Sequence, residues 1–381
     1  MPHLPFFLNS FAWNIGLGMT WLPVPLYAHA QGLSSTQIGA LFAVPVLVQT
    51  PLNLLGGAYT DRIGGRSILI GSSAALIGTG VWFIFAEGFW MLMLGQLVMV
   101  LARAAFWPAT WSMASELPGV RSVQFGRLNA VTNVGQIGGT ALSGFLLAGA
   151  GFPAAFGALA AVGVISTLAA FGTHRTTHPA AVSVAGVLDA YRPLLRQPLI
   201  LYTVMCAYLS AVPFSLGTSF YPLLLADYGH SEEVSGVVIS LRAIGSIAAS
   251  LLVARLVRTG PEAFWPVACG IAVAVGVGLS PTINHVVPIG LWILLIGAGS
   301  AAMTLYFQVT ISEASRPEGR GAALALGGVG WGLSHLTTPL LIGFIADRHG
   351  LVAGFYALGV VCLLFATTIA FMRRWAFAAR A

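Results

Sequence analysis

The chain is organised as long apolar runs joined by short polar connections. A bilayer core takes about 20 apolar residues in helical form. Runs of that kind occupy 4–28, 37–59, 67–86, 89–114, 128–149, 153–172, 198–225, 234–254, 264–281, 287–311, 321–346 and 351–372. Each predicts a membrane-crossing helix, because a chain in lipid must satisfy its backbone amides within the segment. The first run lacks a basic leader and a small-residue cleavage site, so it is expected to stay with the protein.

Composition agrees with this pattern. Of 381 residues 57% are hydrophobic and 7% are charged, whereas a soluble domain carries about 25% charged residues. So few charges cannot cover a globule of this size in water. The chain has no Lys, so all 17 basic residues are Arg. A phosphate-gripping P-loop, a Schiff base and a pyridoxal phosphate enzyme all need a lysine, so no ATP motor of the usual kind and no cofactor are expected. Cys206, Cys269 and Cys362 lie inside apolar runs and read as packing residues.

The charges sort by side. Arg62, Arg66, Arg121, Arg127, Arg175, Arg192, Arg196, Arg255, Arg258, Arg316, Arg320, Arg373, Arg374 and Arg380 fall in one set of connections and the tail. The alternate set holds only Arg348, beside Glu87, Asp227, Glu232, Glu233 and Asp347. Cytoplasmic loops are the arginine-rich ones, which puts both termini in the cytoplasm and suggests a bacterial inner membrane. The net charge of +6 is then topological, and nucleic acid is not expected as a partner.

The polar stretch 173–197 divides the chain into 1–172 and 198–381, each with six predicted helices. Pro25, Gly32 and Gly39 recur as Pro222, Gly229 and Gly236, and Gly144, Gly151 and Phe156 recur as Gly343, Gly350 and Phe355. The expected fold is all-α and integral to the membrane, with twelve transmembrane helices in two pseudo-twofold-related six-helix bundles. Such repeats are the build of an alternating-access transporter.

The most specific segment is Gly57-Ala58-Tyr59-Thr60-Asp61-Arg62-Ile63-Gly64-Gly65-Arg66, between the second and third predicted helices. Gly57 permits close helix approach. Asp61 stands at a helix C-terminal end, which disfavours an anion and calls for a compensating partner. Gly64 and Gly65 suit a tight turn. A charge held this way is a latch that forms in one state and breaks in the other, with Arg62 and Arg66 beside it. This segment resembles the signature loop of the major facilitator superfamily, and the resemblance covers the whole chain. It implies that family's fold and alternating-access transport. Arg103 is similar to the family's arginine on helix four, with Phe106 and Trp107 in place of the usual Gln and Gly. Gly135-Gln136-Ile137-Gly138-Gly139-Thr140-Ala141-Leu142-Ser143-Gly144 resembles the glycine-rich motif of the family's proton-coupled exporters, with Thr140 and Ser143 departing from it.

Polar groups at mid-membrane are functional candidates, since a central charge costs roughly 2.5–3.5 kcal/mol on insertion scales. Arg103, Arg242 and His335 are predicted near the midplane, and Gln136 matches His335 in the repeat. Asn14, Trp21, Tyr306 and Gln308 are further candidate lining. The family's cavity helices imply that these residues share one cleft. No Asp or Glu is placed at mid-membrane, so proton coupling would use Asp61, Glu116, Glu313 or His335. Paired arginines favour an anionic or carboxylate-bearing solute, which a guanidinium grips bidentately.

Ser334-His335 does not read as a nucleophile and base, because adjacent helical residues diverge by about 100°. His174 and His178 lack an obvious third metal ligand. The favoured expectation is a non-enzymatic, monomeric secondary transporter that exports a small organic solute by proton antiport. Organic-anion import, exchange or uncoupled facilitation are the alternatives.

Overall fold

The computed structural model describes residues 3–118, 121–174, 197–253, 260, 262–314 and 320–378; the side chains of 54–62, 121–122, 253, 312–314 and 320–325 lie outside that description. The regular structure is helical: α1 Leu4–Trp21, α2 Pro23–Ala30, α3 Ser35–Ala43, α4 Val46–Ile63, α5 Gly65–Phe85, α6 Gly88–Glu116, α7 Arg121–Phe171, α8 Pro198–Ser219, α9 Tyr221–Asp227, α10 Glu232–Val253, α11 Trp265–Leu279, α12 Val286–Ala314, α13 Arg320–His349 and α14 Leu351–Ala378.

The twelve predicted crossings map onto these helices, with three crossings split and two fused. The first is α1 followed by α2, split at Leu22 where Pro23 opens the second piece. Proline is tolerated there because the first helical N–H has no partner to lose. Phe220 splits the seventh crossing into α8 and α9 in the same way, with Pro222 in the first turn of α9. The second crossing is α3 and α4, interrupted at Val44 and Pro45. The fifth and sixth run together as α7, whose non-helical point is Gly151 at φ 75°. The helix also starts at Arg121, so Arg121 and Arg127 extend a helix rather than form a loop. Among the described residues ten helices are long and apolar enough to cross a membrane, one of them being the 49-residue Val123–Phe171 stretch that carries two crossings.

The sequence repeat is also a backbone repeat. Gly32 and Gly229 both adopt φ 77°, and their amides donate to His29 O and Ala226 O, each at 2.9 Å. These are helix C-terminal glycines in the left-handed region, where a Cβ costs roughly 1–2 kcal/mol.

Two compact units result. One holds Met1–Leu33, Pro45–Val184 and His230–Ser240; the other holds Ser34–Val44, Ala185–Gly229 and Leu241–Ala381. In the first unit α1 lies on α7 with almost no space between backbones: a Cβ on Gly139 would stand 2.1 Å from Ile15 O. In the second, a Cβ on Gly297 of α12 would stand 2.1 Å from Arg242 O of α10. Small residues at such crossings let van der Waals packing hold helices together where lipid offers no hydrophobic drive.

Candidate functional site

Arg242 lies mid-way along α10, and its backbone is pinned by the α12 crossing. Ser246 Oγ donates to both Arg242 O and Gly297 O at 3.0 Å, tying the two helices at this turn. The Arg242 side chain is buried, and its guanidinium carbon sits 4.7 Å from the centre of the Phe214 ring on α8. Phe214 is the one residue between Cys206 and Leu225 that is not buried. An otherwise sealed helix therefore opens at this aromatic ring.

Two α13 residues complete the cluster. Trp331 and His335, one helical turn apart, stack with ring centres 5.6 Å apart and an 18° interplanar angle. Both rings approach Phe214, at 5.7 Å and 5.5 Å. His335 Nδ1 lies 2.9 Å from Trp331 O. A carbonyl only accepts, so Nδ1 is assigned as the donor and Nε2 as the acceptor of the neutral ring. The neighbouring Tyr208 hydroxyl is 2.8 Å from Thr337 Oγ1. The group thus combines a fixed cation, three half-buried rings and one titratable nitrogen, all on helices α8, α10 and α13. Cation–π contact and ring stacking favour a ligand with an acidic group and a flat apolar body.

The other sequence candidates fall elsewhere. Asn14 is fully buried on α1 and accepts from Gln136 Nε2 at 2.8 Å, while its own amide donates to Ser10 O. This pair braces α1 against α7. Tyr306 is fully buried and its hydroxyl lies 3.3 Å from that of Tyr202. Trp21 is buried and Gln308 is exposed. Arg103 on α6 donates to Gln49 on α4 and leaves Nε without a partner among the described residues. Arg103 belongs to the first unit, whereas Arg242 and His335 belong to the second. The Gly57, Asp61 and Arg62 side chains lie outside the described residues; α4 carries their backbone in helix up to Ile63. Gly64 makes the turn at φ 88°, and Arg66 on α5 donates to Phe171 O. Among the described residues, no group of three or more His, Cys, Asp and Glu is placed to hold a metal.

Phe214 and Trp331 were not singled out by the sequence. The Trp331–His335 spacing of one helical turn was the available signal.

Residues 6–296 match the Major Facilitator Superfamily. The chain belongs to that superfamily. It is an integral membrane protein with the superfamily's fold and its transporter build. A bacterial homologue of the human lysosomal transporter Spinster, solved inward-facing and unoccupied, superposes with a TM-score of 0.76 at 15% identity, covering 99% of this chain and 97% of that one. The nucleoside transporter NupG gives 0.77 at 14% identity, covering 99% of each. Among superfamily relatives in sequence, the quinolone resistance protein NorA of Staphylococcus aureus is 23% identical over 142 residues, 37% of either chain. The chain thus spans little more than a third of the length of the NorA relatives it matches. A protein of Pasteurella multocida named "Probable sugar efflux transporter" is 24% identical over 332 residues, 85% of this chain and 80% of that protein.

Proposed function

We propose that this superfamily member is a secondary transporter that exports a small organic solute carrying an anionic group on an apolar, often aromatic, body. The observation that carries the reading is the Arg242 guanidinium over Phe214, with the stacked Trp331 and His335 rings against the same phenylalanine. Arg supplies a bidentate grip on a carboxylate, and the rings supply flat apolar contact. The efflux names of the NorA and Pasteurella multocida relatives support the outward direction. In this reading the coupling is proton antiport, and His335 supplies a titratable nitrogen at mid-helix for it. On the same reading the protein acts as a monomer in a bacterial inner membrane, and the arginine distribution supports a cytoplasmic position for both termini.

A thermal-shift screen on the purified protein tests this, with benzoate and salicylate set against neutral and cationic aromatics. The acids alone are expected to stabilise it. Arg242→Ala should abolish that shift and Arg242→Lys should keep part of it, since Lys retains charge without the fork. Equal shifts for all three charge classes, or a full shift in Arg242→Ala, would sink the anion assignment. Proteoliposomes with an imposed pH gradient then separate antiport from import, exchange and uncoupled movement.

A further inference from the structure

The N-terminus of α3 is closed by a carboxylate from far along the chain. The first amides of a helix have no intrahelical acceptor. Two of these are met locally by a capping box: Gln37 N donates to Ser34 Oγ at 3.3 Å, and Ser34 N donates to Gln37 Oε1 at 2.9 Å. The other two reach α13. Ser35 N donates to Asp347 Oδ1 at 2.8 Å and Thr36 N donates to Asp347 Oδ2 at 3.0 Å.

The adjacent cation does not compete for that carboxylate. Arg348 donates to Phe344 O at 3.0 Å, and its guanidinium carbon sits 3.6 Å from the centre of the Phe344 ring. Below the carboxylate the two helices touch backbone to backbone, since a Cβ on Gly343 would stand 2.4 Å from Ser35 O. By sequence α3 belongs to the first repeat and α13 to the second, yet the two pack in one unit. A superfamily transporter must change contacts of this kind between its states.

We propose that Asp347 is a conformational latch, whose carboxylate on the Ser35 and Thr36 amides holds α3 against α13 and releases when the transport cycle parts these helices. An anion at a helix N-terminus is favoured by the aligned peptide dipoles. Asp347 is exposed, so water takes over its oxygens when it lets go. The latch therefore biases an equilibrium without freezing it. It rests on alternating access and not on the identity of the solute.

The test uses full-length protein in detergent with Cys206, Cys269 and Cys362 replaced by Ala and a single reporter, Ile38→Cys, on α3. Ile38 is fully buried, so maleimide labelling reads the separation of α3 from its surroundings. Asp347→Ala is expected to speed labelling by about two- to fivefold, the size of a helix-end charge effect at an exposed site. Asp347→Asn should be intermediate and Arg348→Ala unchanged. A second reporter, Val277→Cys on α11, is fully buried away from the latch and should keep its rate. Parent-like labelling in both Asp347 variants overturns the latch. So does a parallel rise at Val277→Cys, which would mean general loosening. Loss of the acid-specific thermal shift with these rates as expected would discard the solute assignment and leave the latch standing.

Discussion

At the crossing of α3 with α13, Cβ atoms added to Gly39 and Gly343 would meet Pro339 O and Ser35 O, each at 2.4 Å. At the crossing of α10 with α7, Cβ atoms on Gly236 and Gly144 would meet Thr140 O at 2.9 Å and Glu232 O at 2.5 Å. The repeat register makes these pairs equivalent, position for position. Their tips differ. Ala148 stands where α13 has Asp347, and Glu232 and Glu233 stand where α3 has Ser35 and Thr36. In α10 the acids occupy the helix's own first turn, where they suit its own dipole. In α3 the anion comes from the facing helix, so the cap is also a tie. Pseudo-symmetry preserves the backbone approach, which tolerates no side chain, and leaves the tips free to diverge. The two crossings then part at different cost.

Substitutions at both crossings test this contrast. The largest effect is expected from Gly39→Val and Gly144→Val, which drive a branched side chain into a backbone carbonyl. Both should lose most of the monodisperse protein on size exclusion, since overpacking costs about 1–3 kcal/mol or more. Gly236→Ala should be milder than Gly39→Ala, because its approach is looser. Equal damage would mean that the two crossings are not graded by distance.

Moving the acid gives a smaller effect of either sign. Ala148→Asp alone brings a third carboxylate towards Glu232 and Glu233 and should speed maleimide labelling at a Ser235→Cys reporter, the buried counterpart of Ile38. Adding Glu232→Ser and Glu233→Thr rebuilds the α3 arrangement and should slow the same labelling by about fivefold. An unchanged rate in the rebuilt variant would show that the tip chemistry does not set the cost of parting.

The smallest effect is expected at the paired turns. Gly32→Ala and Gly229→Ala meet no atom within 4 Å but force a left-handed alanine. Each should destabilise by roughly 1–2 kcal/mol, equally in both repeats and with labelling at Ile38→Cys unaltered. A large difference between them in thermal melting would mean that the two turns carry unequal loads.

Hydropathy made the twelve crossings and the repeat legible, because burial in lipid demands long apolar runs and a shared register preserves turn glycines such as Gly32 and Gly229. It also placed Arg103, Arg242 and His335 near mid-helix. It could not say which way they face. A helix that is apolar all round has little periodicity to mark its inner side, so Asn14 and Gln136 looked like cavity lining, whereas Gln136 donates to Asn14 across the α1–α7 packing. Phe214 stayed hidden for the same reason, as one aromatic in an apolar helix. The tie from Asp347 spans more than 300 residues, beyond any local pattern.

The four amides that open α3 have a consequence for measurement. Those of Ser34 and Gln37 are held by their own turn, and those of Ser35 and Thr36 only by a group that departs when the helices part. Deuterium uptake along this stretch thus contains a clock and its reference. Exchange at the inner pair follows the population of the parted state, while the outer pair reports whether α3 itself has frayed. The cycle of the unlabelled, unmutated protein could be followed there, with and without a solute, at two neighbouring backbone nitrogens.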